Sequence, residues 1–255
     1  MSEKIRVWDL PVRVFHWLLA GSFAVAYLVA ESDSLRNLHA VLGYTATGLI
    51  LFRIVWGFVG SRYARFSSFA FSPGTAIGYL RSLAGQPEHF LGHNPAGSYA
   101  IYAILLAGLA TGVTGYMTLN EIGGESLEEI HEVCANVWLG VVIVHIAGVL
   151  VGSWMHRENL IRAMITGYKQ AASEHSAAPA PQVPTGRVVG IGLAVGVAAF
   201  WTWCLLTGSV PGGSERTARE GVPSRESTAQ RTHPDQSVGS DRLAAKKGAP
   251  AADKD

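Results

Sequence analysis

The stretch HEVCANVWLGVVIVH, His131 to His145, decides how this chain is read. Apart from Glu132 and Asn136 everything between the two histidines is apolar or small, and the apolar character continues to Met155. A hydrocarbon core about 30 Å thick needs roughly 20 such residues in a helix. Residues 133–155 therefore read as a membrane span, with one histidine at its outer end and the other inside it. Fourteen residues at about 100° each return to within roughly 40° of the starting direction and rise about 21 Å. His131 and His145 thus share one face of one helix, at two depths. Ionisable side chains in a span are costly, so each one calls for a function and a partner.

Four further stretches, residues 14–30, 38–60, 98–119 and 188–210, meet or approach the same length requirement. The first resembles a secretory signal in position, but it lacks a convincing small-residue cleavage site and carries His16, so it reads as a retained helix. Basic residues are sorted by loop. Lys4, Arg6 and Arg13 precede the first span, Arg62, Arg65 and Arg81 follow the second, and Arg157, Arg162, Lys169 and Arg187 lie between the fourth and fifth. The opposite side carries Arg36 and the acidic run Glu121, Glu125, Glu128 and Glu129. Retention of lysine and arginine on the inner side places the N-terminus in the cytoplasm, and five crossings put the C-terminal tail outside.

The fold class read from this pattern is all-α: an integral membrane four-helix bundle with an additional fifth helix. Residues 1–170 form the four-helix domain, the Ala-, Pro- and Ser-rich residues 171–187 a linker, residues 188–210 the added helix and residues 211–255 a polar tail expected to be disordered. The formal net charge is +1, which leaves no electrostatic footprint for nucleic acid. Cys134 and Cys204 each lie in an apolar block, so neither a disulfide framework nor structural zinc is expected, and no CxxCH attaches a haem covalently. Residues 61–97 read as a loop along the membrane surface. Within it His89 and His93 are flanked by Pro87 and Pro95 without a nearby Glu or Cys, and are assigned to an interfacial loop rather than a metal site.

His16 lies near the inner end of the first span and His39 near the outer end of the second. Because the fourth span descends inwards, His131 shares a depth with His39, and His145 approaches that of His16. Two pairs of imidazoles from different helices at two levels would clamp two flat macrocycles, with both axial positions of each iron filled. A neutral imidazole gives a lone pair to iron without bringing charge into lipid. The reading is two non-covalent haem b groups passing electrons across the bilayer, ligated by His39 with His131 and by His16 with His145. Arg53, fourteen residues after His39, and Arg13, one turn before His16, are either propionate partners of the inner haem or arginines that snorkel to the surface. His156 reads as a surface residue at the cytoplasmic boundary, with a role at a quinone site as the alternative. Gly43 and Gly140 either admit a macrocycle close to the backbone or serve helix contact.

Five segments carry a family resemblance: VWDLPVRVFHWLL (7–19), NLHAVLGY (37–44), RIVWGFVGSRYARF (53–66), GHNPAGSYA (92–100) and HEVCANVWLGVVIVH (131–145). Together they resemble the prokaryotic cytochrome b561 family, and within it the branch of nickel-iron hydrogenase b-type subunits, over about residues 5–170. The resemblance implies a four-helix cytochrome with two haems at His16, His39, His131 and His145. It also implies exchange of electrons between the quinone pool and a partner at the outer face: a hydrogenase, another dehydrogenase or a c-type cytochrome. Shorter members act alone as superoxide:quinone oxidoreductases, which the acidic outer loop disfavours because it repels an anion. The non-redox alternative is a histidine-containing transporter or membrane anchor. The fifth helix and tail have no counterpart in the basic unit.

Overall fold

The computed structural model describes residues 4–83, 85, 90–170 and 185–211. The chain divides into two units, Met1–Glu215 and Arg216–Asp255, and all the described residues lie in the first. Most of the linker at 171–187, and the tail beyond Pro211, fall outside the described residues.

Helix α1 (Leu10–Leu28) starts where sequence chemistry places a start: Asp9 caps it by accepting the Val12 amide, and Pro11 occupies the first turn, where a missing N–H costs nothing. α2 (Arg36–Val59) follows a short turn. α3 (Pro73–Ser82) is capped by Ser72, and α4 (Pro95–Leu119) by Asn94, whose side chain accepts from the Gly97 amide. α5 (Glu125–Met155) is the longest, α6 (Leu160–Thr166) ends on Gly167 in the left-handed conformation, and α7 (Gly186–Thr207) ends likewise on Gly208. Five of these, α1, α2, α4, α5 and α7, are long and apolar enough to cross a membrane. The surface agrees: Leu28, Phe58, Leu106, Trp154 and Leu205 are exposed, an arrangement that suits lipid and not water.

Neighbouring pairs pack as α1 with α2, α2 with α4 and α4 with α5, while α7 lies along α1. α1 reaches α5 through Phe23, whose ring centre stands 4.3 Å from that of Trp138, and through the Tyr27 hydroxyl, which donates to Asn136 at 2.7 Å. A central apolar cluster of Phe15, Leu19, Phe23, Leu49, Ile50, Leu105 and Trp138 joins all four helices. α7 is tied on separately, with the Trp201 indole donating to Thr45 at 2.8 Å and the Tyr44 hydroxyl to the Pro211 carbonyl at 2.7 Å.

Three features differ from the sequence reading. α5 begins eight residues before the expected span, since hydropathy marks only the apolar part of a helix whose acidic first turn, Glu125 and Glu128, suits the positive end of its dipole. His131 is therefore inside the helix. The stretch read as a surface loop contains the ten-residue α3. Finally, strands β1 (Lys4–Arg6) and β2 (Tyr168–Gln170) pair antiparallel with Ile5 opposite Lys169, bringing the two ends of the four-helix unit together at one end of the bundle, as four crossings require. Three-residue strands are too short to leave a periodic signal. Lys169 is buried there, 3.2 Å from Glu158 and donating to the Phe90 carbonyl at 3.1 Å.

Candidate functional site

At the end of the bundle away from the strands, the rings of His39 (α2) and His131 (α5) stand with centres 6.2 Å apart and planes at 90°. The His39 Nδ1 lies 2.9 Å from the Ala26 carbonyl, and the His131 Nδ1 3.1 Å from the Thr111 carbonyl. A carbonyl can only accept, so each Nδ1 carries the proton and each Nε2 keeps its lone pair. Two metal–imidazole bonds of about 2 Å, with each ring centre roughly 1 Å behind its nitrogen, span about 6 Å. The observed separation is that of two imidazoles on one metal atom.

His131 fits because α4 lacks a side chain opposite it. A Cβ on Gly115 would lie 2.8 Å from the imidazole Cε1 and 3.3 Å from Nδ1. Gly108, on the same face of α4, plays the same part for Trp138, whose ring would come within 2.7 Å of an added Cβ. Trp138 is seven residues from each of His131 and His145, so it projects from the same face of α5 and fills the space midway between them. Only Trp138 and Gly152 of α5 are buried by protein, which leaves the histidine-bearing helix with much of its length open to a further molecule.

At the strand end, His16 (α1) and His145 (α5) are both partly buried and lie within reach of each other's charge. The His16 Nδ1 is buried with no hydrogen-bond partner. A polar nitrogen left this way in an apolar bundle marks a place where a partner belongs. Arg53 is buried as well, its Nη1 also without a partner. Arg13 binds the Ile165 carbonyl through Nη2, tying α1 to α6, while its Nε is buried and unpartnered. His156, at the end of α5, meets the Tyr79 hydroxyl of α3 at 3.3 Å.

Among the described residues, no three His, Cys, Asp or Glu side chains gather to hold a metal ion by themselves. Histidines in twos suit a metal that brings its own equatorial ligands, as the iron of a porphyrin does. The donor set and the ring separation fit haem b.

Comparison with known proteins agrees: residues 7–167 match the family described as prokaryotic cytochrome b561. The chain belongs to that family. Relatives of this b561 cytochrome include the "Probable Ni/Fe-hydrogenase B-type cytochrome subunit" of Rhizobium leguminosarum bv. viciae, 23% identical over 211 residues, covering 65% of this chain and 88% of the relative. The "Probable Ni/Fe-hydrogenase 1 B-type cytochrome subunit" of Escherichia coli (strain K12) is 25% identical over 210 residues, 64% of this chain and 89% of its own length. A protein of Rhodobacter capsulatus with the same name as the first is 23% identical over 219 residues, 65% of this chain and 81% of its own. No solved structure matches. The cytochrome is thus a multi-pass, all-α membrane protein of a b-type haem family.

Sequence reading overlooked several residues of the site. His93, assigned to an interfacial loop, is instead packed between Trp8 and Phe69 with its Nδ1 sealed and unpartnered. Burial, with Arg53 and Lys169 nearby, pushes its pKa down to about 3, so the imidazole is neutral. His89 lies outside the described residues. Gly115 was legible in principle, because Gly108, Gly112 and Gly115 recur at helical spacing on one face of α4. Gly140, about 180° round the helix from His131, has nothing within 4 Å of an added Cβ, so no neighbouring helix touches it there. Gly43 has nothing within 4 Å of an added Cβ and stays open to a macrocycle.

Proposed function

We propose that this protein is a di-haem b-type cytochrome that carries electrons across the cytoplasmic membrane between the quinone pool and a redox partner at the periplasmic face. The observation that carries the reading is the perpendicular His39 and His131 pair, 6.2 Å between ring centres, with each Nδ1 held by a backbone carbonyl. Those carbonyls fix the rings and raise the basicity of the free nitrogens. The second pair is His16 with His145 about 21 Å along α5 from His131. Haem supplies a one-electron iron couple, and two imidazoles per iron leave no open position for oxygen or substrate. The remaining work belongs to the chain: α1, α2 and α5 hold the rings at two depths, and α4 seats His131.

The partner is a hydrogenase, as the names of its relatives support, with other dehydrogenases and c-type cytochromes as the other candidates. The N-terminus is cytoplasmic and the C-terminal tail periplasmic, on the sorting of basic residues. Quinone exchanges electrons at the cytoplasmic side, where His156 and Tyr79 pair next to the inner level. Residues 1–170 are the electron-carrying domain, and α7 is an addition that contributes none of the four ligands. The test is a reduced-minus-oxidised spectrum of the purified protein. Quinol should generate b-type bands, and haem that ignores both quinol and quinone analogues would overturn the quinone assignment.

A further inference from the structure

Arg53, in the last turns of α2, is only 3% exposed, and its Nη1 is buried without a hydrogen-bond partner. Aromatic faces surround it: its guanidinium carbon stands 5.1 Å from the centre of Phe66 and 6.0 Å from that of Phe69. The carboxylate of Asp9 is near enough to act on it electrostatically. That carboxylate is already engaged, Oδ1 with the Val12 amide at 2.9 Å and Oδ2 with the Trp56 indole at 3.0 Å. His93 reaches the same place from the start of α4, its ring 4.6 Å from Trp8 and 4.4 Å from Phe69. Arg53 and His145 are both its electrostatic neighbours.

Asp9 acts on Arg53 without forming an ion pair with it, and a buried guanidinium with no anion bonded directly to it costs several kcal/mol, so this position asks for further negative charge. A neutral quinone headgroup does not provide it. We propose that Arg53 and His93 form a recess that binds a carboxylate, and that this carboxylate is a propionate of the haem held by His16 and His145. The fork of Arg53 matches a carboxylate, and a neutral imidazole donates one further hydrogen bond through Nδ1. This inference rests on the inner haem of the proposed function.

The test loads the full-length chain, produced without haem, with haem b or with its dimethyl ester, in which both propionates are neutral, and measures bound haem per chain. The wild type should prefer haem b over the diester at least tenfold at one of its sites. Arg53→Gln should abolish that preference, His93→Phe should reduce it, and His93→Gln, which retains a donor, should keep more of it. Arg53→Gln should also lower the reduced-to-oxidised ratio of the inner haem about tenfold at fixed potential, about 59 mV for a one-electron couple. Equal uptake of haem b and diester by the wild type would overturn the recess, and would leave a lipid phosphate as the anion. A full preference retained in Arg53→Gln would overturn it as well. A chain that takes up neither compound would instead overturn the haem reading itself.

Discussion

Gly115 offers the sharpest test of how the outer site is built. A Cβ there would stand 2.8 Å from His131 Cε1, 3.3 Å from Nδ1 and 3.5 Å from Nε2. Carbon atoms are comfortable at about 3.5 Å or more, so Gly115→Ala must drive the ring back by roughly 0.7 Å. The ring is not a loose end: its Nδ1 is held at 3.1 Å by the Thr111 carbonyl, on the same helix as Gly115. Metal–ligand distances tolerate only about 0.2 Å, so the displaced imidazole no longer matches its partner. Overpacking of this kind costs about 1–3 kcal/mol, a loss of about 5- to 150-fold in outer haem affinity. Haem per chain by the pyridine haemochromogen method, with dilution to pull weakly bound haem off, reads the effect. Gly115→Val should lose the outer haem altogether, whereas Gly78→Ala on α3, away from the histidine-bearing helices and with nothing within 4 Å, should behave as wild type. Full haem content and unchanged spectra in Gly115→Val would refute the argument.

Other expectations follow from the same geometry. His131→Ala should remove the outer haem and spare the inner one, halving the b-type absorbance; equal loss of both in a protein that still inserts would show the pairing to be mistaken. Asp9→Ala removes the α1 cap and the acceptor of the buried Trp56 indole together. It should destabilise the fold by about 2–4 kcal/mol, seen as a lower temperature of haem release in detergent. Glu158→Gln should cost about 3–5 kcal/mol by leaving Lys169 buried without its counter-charge, and the double variant with Lys169→Met should recover most of that loss in the same melting assay.

The spans were legible in the sequence, and the four candidate histidines stood out, because a bilayer enforces simple rules. Long apolar runs stand out, and a histidine within one has few ordinary reasons to be there. The spacing of His131 and His145 gave their common face by arithmetic alone. What escaped depends on contacts between distant segments. His93 sits in a Pro-flanked stretch, and nothing local reveals that Trp8 and Phe69 close over it. The carbonyl partners of His39 and His131, Ala26 and Thr111, come from other helices and are backbone groups, which no residue type announces. The β1–β2 ladder joins segments more than 160 residues apart. Glycines on α4 were visible, but spacing does not say which neighbour needs the room.

Electron paramagnetic resonance of the oxidised protein, with haem counted per chain, decides whether two imidazole pairs each hold one haem. Two haem b per chain are expected, both low-spin ferric. The outer one should show the strongly anisotropic signal of perpendicular imidazole planes, as the 90° between His39 and His131 requires, and that signal should vanish in His39→Ala. A single haem per chain, or a high-spin signal from an iron with an open position, would contradict it.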